Sequence, residues 1–128
     1  MTVRIIQLGS PRGPDEGLRI GTVRRPPRGI PKAKFAELDY YDTWLPLLAP
    51  SLELMAQAKT AATAVAWERF ARQFRTQMNE PAPASVLDLL AALSHRASFA
   101  IGCYCEDEAH CHRSVLRSLL QQRGAKIA

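Results

Sequence analysis

A chain of 128 residues is long enough for one domain with a true core, and its 47% hydrophobic and 23% charged fractions are those of an ordinary globular protein rather than a disordered or fibrous one. No apolar run approaches the roughly 20 residues that a membrane-spanning helix needs, and the opening MTVRIIQLGSPRG is too briefly apolar for a signal peptide, so a cytoplasmic protein is expected. The net charge of +5 is uneven: residues 1–34 hold eight Lys and Arg against Asp15 and Glu16, a balance of +6, and the remainder sums to −1, a pattern suited to a phosphate-bearing or other polyanionic partner.

Val3 to Leu8 and Leu18 to Val23 are short β-branched segments bounded by Gly, Pro and Asp, which predicts two strands with the turn SPRGPDEG between them. The following RRPPRGIPKAK has too many prolines for either regular element and reads as a basic loop. Tyr40 to Leu45 has the aromatic and β-branched character of a third strand.

Ser51 is placed to cap a short helix through Lys59. Trp67, Phe70, Phe74 and Met78 recur at helical spacing while Arg69, Arg72 and Arg75 turn away, predicting a second helix over residues 66–79 whose aromatic stripe is core. After Pro81 and Pro83, the capping-box pair Ser85 and Asp88 opens a third helix through His95, with His95 complementing its C-terminal dipole. Ser98 to Tyr104 is apolar enough for a buried strand, and a last helix runs over residues 111–123 with Gly124 as its stop. Strands and helices interleave, which predicts a single α/β domain over residues 1–128: a small, mainly parallel sheet flanked by about four helices. Its ligand site is expected beyond the C-terminal ends of the strands.

That expectation puts weight on CYCEDEAHCHRSVL, residues 103–116, where three cysteines, two histidines and an arginine crowd together. Cys103 would end the buried strand, and His110, Cys111, His112 and Arg113 would open the last helix. Amides at a helix start favour an anion and Arg113 adds a planar donor fork, so an anion pocket leads, although Glu106, Asp107 and Glu108 in the same loop would repel a phosphate unless turned away or paired. In this reading Arg24, Arg25 and Arg28 face His112 and Arg113 across a cleft for phosphate, with nucleic acid the first expectation for its source and a phosphorylated small molecule the other. The rival is a thiol enzyme with Cys111 as nucleophile and His112 or His110 as base. The spacing argues against the Cys-x5-Arg loop of cysteine phosphatases, because seven residues separate Cys105 from Arg113 and one separates Cys111 from it. Three cysteines and no export signal argue against a disulfide framework, and a zinc site is disfavoured because all candidate ligands come from one stretch. No metal or cofactor is assigned. A purely structural or interaction role for buried thiols is the remaining alternative.

CYCEDEAHCHRSVLRSLL, with IGTVRRPPRGIPK and WLPLLAPS, resembles the small bacterial proteins of domain-of-unknown-function family 488 over nearly the whole chain. The resemblance implies a compact α/β fold without an established reaction, and it marks Cys105, Glu106, Cys111, His112 and Arg113 as site residues. Where the family's Arg-Gly loop usually carries an aromatic, this chain has VRRPPRG, which removes a base-stacking group from the loop.

Overall fold

The computed structural model describes all 128 residues. Four parallel strands form one sheet in the order β1-β4-β2-β3, with β1 Val3–Gln7, β2 Leu18–Gly21, β3 Thr43–Trp44 and β4 Phe99–Cys103. The predicted α/β class and parallel sheet are both present. β1 and β2 are parallel with β4 inserted between them, so the intervening SPRGPDEG is a crossover and not a hairpin turn. The outer edge of β1 is closed by the C-terminus, where Val3 donates to the Lys126 carbonyl and Ala128 donates to that of Val3. Pairing there removes backbone groups that an open edge would expose.

Register explains which face is apolar. Ile5, Ile101 and Ile20 form one row across β1, β4 and β2, and Val3 and Phe99 form another on the same face. These residues join the main core with Phe70, Phe74 and Met78 of α2 (Ala64–Met78), Leu87 and Leu90 of α3 (Pro81–Leu93), and Val115, Leu116, Leu119 and Leu120 of α4 (His112–Gln122). The short α1 (Leu52–Lys59) adds Leu54. Four helices therefore pack on a single stripe of β-branched and aromatic side chains, each burying its own apolar face against it.

The opposite face carries Arg4, Arg19, Gly21 and Gly102 and is covered by the irregular segment between residues 8 and 42. A Cβ on Gly21 would stand 2.4 Å from the Tyr41 ring, so the absent side chain lets that aromatic approach the strand closely. Arg19 is 0% exposed beneath this cover. Its Nε and Nη2 meet the two Glu16 oxygens at 2.8 and 2.9 Å, and Nη1 donates to the carbonyls of Ser10 and Asp39. Burial works against the Glu16 carboxylate, but the Arg19 hydrogen bonds and charge overcome it and hold the carboxyl below its ordinary range. Arg12 clamps the same segment through Asp39 and Asp42.

Capping accounts for the helix boundaries. Ser51 Oγ accepts from the Leu54 amide, as predicted, and Thr63 caps α2 two residues earlier than the aromatic stripe alone suggests. α3 starts at Pro81 instead of at Ser85; proline is well suited to the first helical position, where its missing N–H has no intrahelical partner to lose. The expected Ser85–Asp88 box thus falls inside the helix. α3 ends at Leu93, so His95 lies beyond it, and the ring Nε2 bonds the Gly124 carbonyl at 2.8 Å. Gly124, at φ 78°, ends α4 as expected.

Candidate functional site

The C-terminal ends of β2 and β4 deliver Val23 and Cys103 to one end of the sheet, where the arginine loop, the Cys-His turn and helices α1 and α2 enclose a cavity of about 500 Å³. One side is the backbone and side chains of Arg24, Arg25 and Arg28. The floor is Cys103, Cys105, Cys111 and His112, and the wall includes Met55, Trp67 and Phe70. Cys111 and Cys103 are also packed with Leu8, Val23, Phe35 and Tyr41 in a second, smaller core beneath this floor.

The three arginines of the loop play different parts. Arg24 donates from Nε to the Pro50 carbonyl at 3.0 Å and from Nη2 to that of Ala49 at 3.0 Å, which ties the loop to the segment before α1. Arg25 and Arg28 are exposed at the cavity. Tyr104 fixes the same loop by donating its hydroxyl to the Arg25 carbonyl at 2.9 Å. A further cation at the rim is Lys59, which the sequence reading did not single out.

None of the lining residues is Asp or Glu. The acidic triplet is accounted for nearby: Glu108 receives Arg117 in a two-pronged pair at 2.6 and 2.8 Å, and Asp107 bonds His110 Nδ1 at 2.8 Å and caps the short 3-10 turn Glu108–His110. The Arg117 bond holds the Glu108 carboxyl below its ordinary range, and the His110 bond does the same for Asp107. Glu106 is exposed and does not line the cavity. His110 lines it and stands edge-on to Trp67 at 5.7 Å.

The Cys-His-Arg turn splits in two. Cys111 is the N-cap of α4, and its Sγ accepts from the Arg113 amide at 3.5 Å. It is only 2% exposed. His112 points Nε2 at the Thr22 carbonyl, 2.6 Å away. A carbonyl can only accept, so Nε2 carries a hydrogen, and in the neutral ring Nδ1 is then the lone-pair atom, 3.8 Å from Cys111 Sγ. Arg113, expected on the anion-binding edge, does not line the cavity; its side chain is buried, and Nη2 donates to the Cys105 carbonyl at 2.6 Å. Its role is to hold the Cys105 loop to α4.

Of the three thiols, Cys105 is the exposed one and Cys103 and Cys111 are buried. Cys103 donates to Cys105 Sγ at 3.8 Å. Hydrogen bonding to Cys105 and Cys111 keeps the Cys103 proton in place and pushes its pKa far up. The bond from Cys103, then that from Cys111, with help from the Arg113 charge, pulls Cys105 down to about 3. The Cys111 thiol is also lowered, first by the bond from Cys103.

The fold is a parallel α/β sheet with a lined cavity beyond the strand ends, an arginine loop on one side and a sulfur-imidazole floor on the other, the position at which open parallel sheets commonly carry a ligand site. The family model described as the active DUF488-N3 subclade matches residues 3–124, and the chain belongs to that family, one of unknown function. No curated protein and no solved structure matches significantly. No helix is long and apolar enough to cross a membrane.

Proposed function

We propose that the cavity binds a phosphorylated small molecule of about nucleotide size, with its anionic group toward Arg25 and Arg28 and its flat apolar part against Trp67 and Phe70. One observation carries this reading: the arginine loop and the Cys-His turn line the same cavity, and no carboxylate lines it with them. An anion placed there meets guanidinium groups that are otherwise uncommitted, so planar charge-assisted bonds become available to it. The volume lies within the range of small-ligand sites and is far too small for a duplex. A duplex is therefore the less favoured source of the phosphate.

Calorimetric titration with inorganic phosphate, nucleosides, nucleoside monophosphates and short oligonucleotides, at several salt concentrations, tests it. Monophosphates should bind at least tenfold tighter than their unphosphorylated nucleosides. Equal affinity for the two refutes the reading, and tight, steeply salt-dependent binding of oligonucleotides alone returns the basic segment to nucleic acid.

The thiol-enzyme alternative is weaker on Cys111, whose sulfur is buried, than on Cys105, which is exposed and lines the cavity. Accessible low-pKa thiols alkylate fast below neutral pH, so the rate against pH discriminates.

A further inference from the structure

The sulfur-imidazole floor has a geometry that anion binding does not require. Sγ of Cys103, Sγ of Cys111 and a ring nitrogen of His112 all lie within 4.8 Å of one another, and all three residues are buried. Cys105 Sγ is 3.8 Å from Cys103 Sγ, and His112 Nδ1 is 3.8 Å from Cys111 Sγ. A tetrahedral zinc ion with bonds of about 2.3 Å to sulfur has sulfur–sulfur edges of roughly 3.8 Å and slightly shorter sulfur–nitrogen edges. The two measured separations are thus close to the edges of such a tetrahedron before any metal has drawn the ligands together.

The surroundings match the same chemistry. The Thr22 carbonyl fixes the His112 tautomer, leaving Nδ1 as a lone-pair donor toward the sulfurs, which is the orientation that outer partners impose on metal-bound imidazole. The Arg113 amide points at Cys111 Sγ, as a backbone donor to a metal-bound thiolate does. Zinc with three thiolates and one neutral imidazole carries one net negative charge. The buried Arg113 guanidinium, bonded to the Cys105 carbonyl, supplies a compensating positive charge beside it.

We propose that Cys103, Cys111 and His112 form a zinc site, with the exposed Cys105 closing the fourth corner from the cavity side. Soft thiolates and imidazole favour zinc over magnesium or calcium, which prefer oxygen. On binding, the ion takes a sulfur lone pair from each thiolate and the cysteine protons leave to solvent. The ligands are compressed into one stretch because the sheet end and the helix start bring them together: Cys103 ends β4, Cys105 begins the loop, and Cys111 and His112 open α4. This proposal does not rest on the phosphate reading, since no arginine of the loop is among the ligands.

The test uses full-length chain purified without an affinity tag, stripped with a chelator and dialysed against micromolar free Zn2+. Native mass spectrometry should show one zinc per chain. Titration of the stripped protein with Co2+ should give the intense visible bands of a tetrahedral thiolate site. Alkylation of the three wild-type thiols should be at least tenfold slower with zinc than with chelator, a measurement that needs no variant to fold. His110→Ala should leave the stoichiometry unchanged, and Cys103→Ser, Cys111→Ser and His112→Ala should lose the tight site. Absence of retained zinc, a cobalt spectrum without thiolate bands, or zinc kept by Cys111→Ser overturns the proposal. Monophosphate titrations on stripped and loaded protein separate the two readings, because Arg25→Ala and Arg28→Ala should weaken ligand binding and leave zinc in place.

Discussion

Glu16→Gln is the substitution whose consequence follows most directly from the fold. Arg19 is fully buried under the segment that covers the sheet, and Glu16 is its only charged partner there, bonded at 2.8 and 2.9 Å. The amide keeps one oxygen acceptor but removes the compensating charge, leaving a guanidinium out of water with two carbonyls and a neutral side chain. Breaking one side of a buried pair costs about 3–5 kcal/mol, and the retained acceptor places this case near 3. A domain of this size has about 5–15 kcal/mol in total, so the loss takes a large share and lowers the melting temperature by roughly 10 °C.

Urea unfolding at pH 7 measures it. The double variant Glu16→Gln/Arg19→Met should recover part of the loss, because removing both charges also removes the cost of burying them. The pH dependence has a definite sign: the folded-state pKa of Glu16 is lowered, so its contribution is present above the unfolded value of 4.5 and disappears as pH falls through the lower folded value. The gap between wild type and Glu16→Gln should therefore narrow in acid. A single-variant cost under about 1 kcal/mol at pH 7, or a double variant no more stable than the single one, would show that Arg19 does not depend on Glu16.

Arg25→Ala with Arg28→Ala should leave the unfolding free energy within about 0.5 kcal/mol, since both side chains are exposed, and cut affinity for a phosphorylated ligand about 10–100-fold, each exposed charged contact being worth about 1 kcal/mol. Unchanged affinity in a calorimetric titration would remove the arginines from the site. Gly17→Ala should cost about 3 kcal/mol or more by urea unfolding, because φ is +79° and a Cβ would sit 1.9 Å from the carbonyl oxygen of Ser98, the residue just before β4; a loss under 1 kcal/mol would mean the crossover can shift without disturbing β4.

The elements that the sequence announces are those whose signal is local. Phe70, Phe74 and Met78 at helical spacing, Ser51 as a cap and Gly124 as a stop all appear where spacing and side-chain chemistry put them. The α3 start was displaced because Pro81 can begin a helix as readily as it can break one, and residue type alone does not choose between those roles. The segment between β1 and β2 reads locally as a turn but serves as a crossover, because pairing partners are set by the whole sheet, and β4, some 80 residues later, takes the space between them.

The same division of labour governs the site. The eight cations of residues 1–34 are visible in sequence as one charge excess, yet the fold spends them separately. Arg12 and Arg19 are bound to carboxylates under the sheet cover, Arg24 is tied to carbonyls, and Arg25 and Arg28 stand open at the cavity. Acidic partners as distant as Asp42 decide which cation is neutralised, and no local pattern encodes that pairing. Trp67 shows the converse, since a stripe read as core places its first member half-exposed on the cavity wall. Charge composition thus points to an anion, and only tertiary pairing says which arginines are left to meet it.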